Sequence, residues 1–108
     1  MPALIPKDFV EQLVCISTAH VSKATADKMP QCRADLDDVN QPDWWPEFLR
    51  DEGWLFFLYS SQDEFEFKYK TAPKDLNDVL QYMHNSGFRW CMFDCDGAII
   101  DGLHQYEW

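Results

Sequence analysis

Three features of the 108-residue chain predict an α+β fold, a two-layer sandwich whose mainly antiparallel sheet has four to five strands. Trp54-Leu55-Phe56-Phe57-Leu58-Tyr59 is apolar throughout, as a strand buried on both faces requires. Glu64 to Lys70 alternates charged and aromatic residues, the period of a half-buried strand. Leu76, Val79, Leu80 and Met83 recur at the i, i+3, i+4, i+7 spacing of a helix lying on a core. The expected set is two main helices and a short acidic helix in a single α+β domain, residues 1–108.

Taken in order, Leu13-Val14-Cys15-Ile16-Ser17 is a short apolar run that suits a buried strand. Asp8 to Gln12 fits either a helical turn or an extension of that strand. Ser22 is placed to cap a helix through Met29, with Val21 as the apolar residue before the cap, and Pro30 ends or kinks that helix. Cys32 and Leu36 leave room for a second helical segment, and Ala34 to Asn40 reads as an exposed connection. Asp43 to Gly53 is predicted to be the short acidic helix, capped by Asp43 and stopped by Gly53. The adjacent Trp44 and Trp45 cannot both face one core from it, so one should be partly exposed.

Residues 54–59 are placed at the centre of the sheet. Ser60 to Asp63 is a turn leading to a strand over 64–70, with Phe65, Phe67 and Tyr69 on one face. Pro73 opens the clearest helix, 73–86, where Asp75 and Asp78 favour the positive end and Gly87 terminates it. Phe88 to Phe93 returns as a strand, Asp96-Gly97 forms a hairpin turn, and Ala98-Ile99-Ile100 begins the last strand.

Charge is distributed unevenly. The net charge is −10; residues 35–61 carry seven carboxylates against one arginine, and residues 94–108 carry four against none. A protein that grips phosphates needs the opposite sign, so direct nucleic-acid binding is excluded as an expectation. Acidic surfaces keep small proteins soluble, and they also complement basic partners. The N-terminal sequence does not read as a signal peptide and no apolar run approaches a membrane span, so a cytoplasmic protein with reduced thiols and no membrane partner is expected. Cys15 and Cys91 lie in apolar runs, where cysteine acts as a small hydrophobe.

Trp90 to Asp101 carries the most specific chemistry. A hydrophobic strand ending in Asp94-Cys95-Asp96-Gly97, then Ala98, two isoleucines and Asp101, resembles the nucleophile motif of the haloacid-dehalogenase superfamily. That resemblance implies a phosphoryl-accepting Asp94 and an acid/base Asp96 around magnesium. In that superfamily the motif opens the domain and a lysine follows downstream; here twelve residues follow Asp96, and Ala98 replaces the hydroxyl residue. The segment is therefore read as a turn. Ser17 and His20 form a second candidate, where a hydroxyl and an imidazole end a strand, although such residues more often tie down a turn. Cys15, His20, Cys91 and Cys95 match no zinc spacing, and Asp94, Asp96 and Asp101 lack the ligand set of an EF-hand, so no metal or other cofactor is expected.

Blocks in order along the chain are similar to a small bacterial domain family of unknown function. They are Cys15-Ile-Ser-Thr-Ala-His20, Gly53-Trp-Leu-Phe-Phe-Leu58, Asp75-Leu-x-x-Val-Leu80, Gly87-Phe-Arg-Trp90, Phe93-Asp-Cys-Asp-Gly97 and Asp101-Gly-Leu-His-Gln-Tyr-Glu-Trp108. The blocks leave out residues 31–52. The resemblance implies a setting on plasmids and integrative conjugative elements and assigns no catalytic residue. Small acidic proteins of such elements resemble, by analogy, inhibitors of host defence, including anti-CRISPR and anti-restriction proteins.

The expected function is a non-enzymatic inhibitor that docks on a basic protein or complex, a nucleic-acid-binding defence complex by that analogy. Its expected surface is Asp35, Asp37, Asp38, Asp43, Trp44, Trp45, Glu47, Asp51 and Glu52, where carboxylates steer a cationic partner and an aromatic supplies desolvated contact. Ser17, His20, Asp94, Asp96 and Asp101 are the secondary candidates. The alternative is a small metal-dependent hydrolase built on Asp94, Asp96 and Asp101, which needs those groups to line one cleft.

Overall fold

The computed structural model describes residues 12–50 and 53–107. It is an α+β fold built on a four-stranded mixed sheet in the order β1-β4-β3-β2, with β1 Leu13–Ser17, β2 Phe48–Arg50, β3 Gly53–Phe57 and β4 Trp90–Asp94. The β2–β3 and β3–β4 pairs are antiparallel and β1 runs parallel to β4. Among the described residues four α-helices join them: α1 Lys23–Asp27, α2 Arg33–Leu36, α3 Gln62–Tyr69 and α4 Lys74–Asn85.

Register assigns the faces. Ile16 opposes Phe93, and Phe56 opposes Cys91, so these side chains share one face of the pleat. They are fully buried and pack with Phe65, Tyr69, Leu76, Val79, Leu80 and Met83 from the helices. The Phe56 ring meets Tyr69 at 6.2 Å and Phe93 at 5.7 Å, both edge-on, the geometry aromatic quadrupoles favour. The opposite face carries Leu13, Cys15, Phe48, Leu55, Phe57, Trp90 and Met92, all half-buried or exposed.

Local chemistry explains each helix. The Ser22 hydroxyl accepts from the Thr25 amide, and Asp75 at the start of α4 accepts from both the Ser22 amide (2.8 Å) and the Thr25 hydroxyl (2.6 Å), so one carboxylate ties two helix starts together. Helix α4 runs as its periodicity predicts, with all four named apolar residues buried. Gly87, at φ +94°, ends it: its amide bonds to His84 and the next amide to Met83, a left-handed stop that a side chain would strain.

Three sequence expectations need correction. Residues 64–70 are not a strand but most of α3, so they contribute nothing to the sheet. Ser61 caps this helix by accepting from the Glu64 amide, the carboxylates of Asp63 and Glu64 sit in its first turn, and Gln62 bonds to Glu66 one turn on. As a helix it brings Phe65 and Tyr69, four apart, into the core together and turns Phe67 outward, 72% exposed.

The described residues of the predicted Asp43–Gly53 helix are likewise not helical, since Phe48–Arg50 pairs with Gly53–Leu55 as the edge of the sheet. The third correction concerns Asp96-Gly97, which makes no hairpin. The chain instead crosses to the outer side of β1, where Ala98 forms a parallel bridge to Ile16. Gly97 permits the crossing, because a Cβ there would stand 2.3 Å from the Ile16 carbonyl group. The Asp8–Gln12 alternatives lie outside the described residues apart from Gln12, which precedes β1 and accepts the Arg89 and Trp90 amides.

Candidate functional site

A cleft of about 800 Å³ opens between the 36–47 segment and α3. The two tryptophans divide the work on one side of it: Trp44 is buried in the core, 6% exposed, and Trp45 lies half-buried on the cleft wall. The Trp45 indole N–H donates to the Lys28 carbonyl at 2.9 Å, which fixes the ring with its polar group satisfied. Asp43, Pro46 and Glu47 line the cleft from the same segment, as do Leu36, Gln41 and Pro42. Facing them are Asp63, Glu64, Phe67 and Lys68 of α3, with Tyr59 joining the two sides.

Tyr59 adopts φ +62°, a left-handed conformation that costs a side-chain-bearing residue about 1 kcal/mol or more. It links β3 to the turn before α3, and its ring packs 4.7 Å from that of Phe57. Burial raises its phenol above the usual range, and Glu47 and then Glu64 raise it further, so the hydroxyl stays protonated beside two carboxylates. One internal cation spans the cleft: Lys68 Nζ stands 3.7 Å from Glu47 Oε1. Another lies on its rim, where Lys70 Nζ sits 4.8 Å from the centroid of the exposed Phe67 ring. The lining therefore holds four carboxylates against one ammonium, around three aromatic side chains.

Of the nine residues the sequence singled out for binding, Asp43, Trp45 and Glu47 line this cleft. Asp35 accepts from the Gln31 and Cys32 amides and so caps α2, where it serves the local fold. Asp37 and Asp38 are exposed just past α2, Asp38 accepting from the Asn40 amide, and Trp44 belongs to the core. Asp51 and Glu52 lie outside the described residues. Sequence reasoning missed Tyr59, Asp63, Glu64, Phe67 and Lys68, although the Ser61-x-x-Glu64 capping signature could have found the four that α3 contributes.

The secondary candidates are built differently. Ser17 is register partner to Asp94 at the ends of β1 and β4, but its hydroxyl accepts from the Ala19 amide and caps a short 3-10 turn. His20 is 1% exposed; Nδ1 contacts the His104 carbonyl at 2.8 Å, and Nε2 accepts from the Ile100 amide at 3.0 Å. That arrangement requires the neutral ring protonated on Nδ1, which pins the 100–104 segment at both ends. Asp94 accepts from the Asp96 amide within its own turn. Asp94, Cys95 and Asp96 bring potential ligand atoms within 4.8 Å of one another, and Asp101 is not part of that group. Exposed acidic groups at a turn need no ion to account for them.

None of the four cysteines is in a disulfide, and burial pushes the Cys91 thiol well above the ordinary thiol range. Among the described residues no helix is long and apolar enough to cross a membrane. No curated protein and no solved structure matches the chain. A family profile does match, over residues 13–108, and it runs through the 31–52 stretch that the resemblance blocks leave out. The chain thus belongs to the family of unknown function DUF5983, through its C-terminal domain.

Proposed function

We propose that this protein is a non-enzymatic interaction module that docks a basic macromolecule on the acidic, aromatic surface around the 36–47 segment. The observation that carries the proposal is the cleft itself, in which Asp43, Glu47, Asp63 and Glu64 surround Trp45, Tyr59 and Phe67. Carboxylates raise the encounter rate with a cationic partner, and aromatic side chains supply the contact area that holds it. A chain of net charge −10 extends the attraction beyond the cleft. The finer reading is a cytoplasmic inhibitor, carried by a mobile element, of a host complex that itself binds nucleic acid. It rests on the resemblance described above and on the sign of the charge, since a groove that grips phosphates presents the cations this surface attracts.

Capture from a bacterial lysate with the wild-type chain and with an Asp37→Lys/Asp38→Lys/Trp45→Ala variant tests the proposal. Basic proteins retained by the first at low salt, released as salt rises and absent with the second support it. A partner held equally by both proteins and indifferent to salt contradicts it.

A further inference from the structure

We propose that the cleft between the 36–47 segment and α3 is a receptor for an arginine-bearing segment of a partner protein, with Lys68 and Lys70 standing in for the partner's cations in the unbound chain. The inference rests on the acidic-surface proposal above and names what enters the cleft. Its basis is the joint presence of carboxylates, aromatic faces and internal cations.

Lys68 reaches from α3 to Glu47 on the opposite wall, and Lys70 lies over Phe67, so the chain itself shows that both a carboxylate and a ring here accept a cation. Neither contact is strong. A single ion pair at 3.7 Å with a side chain about one-third exposed is screened by water, and the Phe67 ring is 72% exposed. A guanidinium outcompetes an ammonium at such a place for three reasons. It is planar and stacks on aromatic faces, its fork of donors bonds two carboxylate oxygens at once, and it loses less hydration on entering.

Charge balance points the same way, since one lysine among four lining carboxylates leaves room for further positive charge. Size and apolar lining add a further requirement. A cleft of about 800 Å³ exceeds one side chain, and Leu36, Pro42 and Pro46 offer apolar wall, so the segment carries apolar residues beside its arginine. Trp45 is already fixed through its bond to Lys28, so little ordering of that ring opposes binding.

The test uses a short labelled peptide alternating arginine and leucine, the same peptide with lysine, the same with uncharged citrulline, and spermidine as a small-molecule cation. Anisotropy at low salt should show the arginine peptide binding several-fold to about tenfold more tightly than the lysine peptide, and no binding of the citrulline form. Phe67→Ala and Glu47→Gln should each weaken the arginine peptide by about tenfold, whereas Lys68→Gln should tighten it, because the internal competitor is gone. Lys23→Ala, which removes an exposed lysine paired with Asp27 on α1, should change nothing.

Equal affinity for the arginine and lysine peptides, with no effect of Phe67→Ala, overturns the arginine receptor while leaving the acidic-surface proposal standing. Spermidine that displaces the peptide at matching affinity overturns it in favour of a small polycation. Failure of every basic peptide to bind at low salt overturns both.

Discussion

The two acidic regions of this protein put their polar groups to opposite uses. In the carboxyl-terminal region, Asp94 caps its own turn, Ser17 caps the neighbouring 3-10 turn, and His20 holds the Ile100 amide and the His104 carbonyl. Ser17, His20 and Asp94, which look catalytic in the sequence, are engaged by backbone. In the cleft, Asp43, Asp63 and Glu64 are exposed on the wall beside half-buried Trp45 and exposed Phe67. A motif of chemical residue types therefore says little until the fold shows what those residues already hold.

The largest effect is expected at His20. Replacing it with Ala opens a cavity in a buried site and strips two backbone groups of their partner, and should cost about 3–5 kcal/mol in denaturant unfolding. Binding of a basic partner should survive at temperatures where the variant is folded. Lost binding in a folded His20→Ala protein would give the imidazole a functional role this account denies it.

Asp75 offers a structural carboxylate to set against those of the cleft. Burial alone would raise its pKa, but hydrogen bonds from Ser22, Thr25 and the Leu76 amide outweigh burial and hold it below the ordinary carboxylate range. A depressed folded-state value means that its contribution is full above about pH 4 and fades as the pH falls through the folded-state value. Asp75→Asn should destabilise by about 1–2 kcal/mol at neutral pH, and the gap to wild type should close in more acid solution. A gap that stays constant down to pH 2 would show that shape, not charge, matters at this joint.

Smaller effects on stability are expected in the cleft. Phe67→Ala removes a ring that is mostly in water and should shift stability by about 0.5 kcal/mol or less, while it should weaken the arginine peptide by about tenfold. A destabilisation of several kcal/mol would mean that Phe67 belongs to the core. Asp94→Asn should have the least effect on binding, because its turn lies in the other region and an amide oxygen can still accept from the Asp96 amide.

Much of the fold is legible in the sequence, and the parts that are not share a cause. Helix α4 carries twelve residues of consistent period and a glycine stop, so local and tertiary signals agree. In α3, Phe65, Phe67 and Tyr69 satisfy the strand period, while Phe65 and Tyr69 alone satisfy the helical one. Seven residues are too few for periodicity to decide, and the capping signature at Ser61 and Glu64 decides it. Phe48–Arg50 is shorter still, and its pairing with β3 is a tertiary fact that Asp43 and Gly53, as helix boundary signals, obscure.

The same error hid half of the site. Read as a strand, 64–70 sends Phe67 inward with its neighbours; wound as a helix, it presents Phe67, Glu64 and Lys68 to the wall that Asp43, Trp45 and Glu47 already supplied. Local composition revealed one wall of the cleft. The other depended on the correct period.

Where a cationic ligand lands on the protein can be mapped residue by residue. Amide chemical shifts of the labelled protein, followed while the arginine–leucine peptide is titrated in, should move in residues 36–47 and 59–68 and stay in place in 94–107. Saturable shifts confined to 94–107, with 36–47 and 59–68 unmoved, would contradict the account and transfer the interface to the carboxyl-terminal carboxylates.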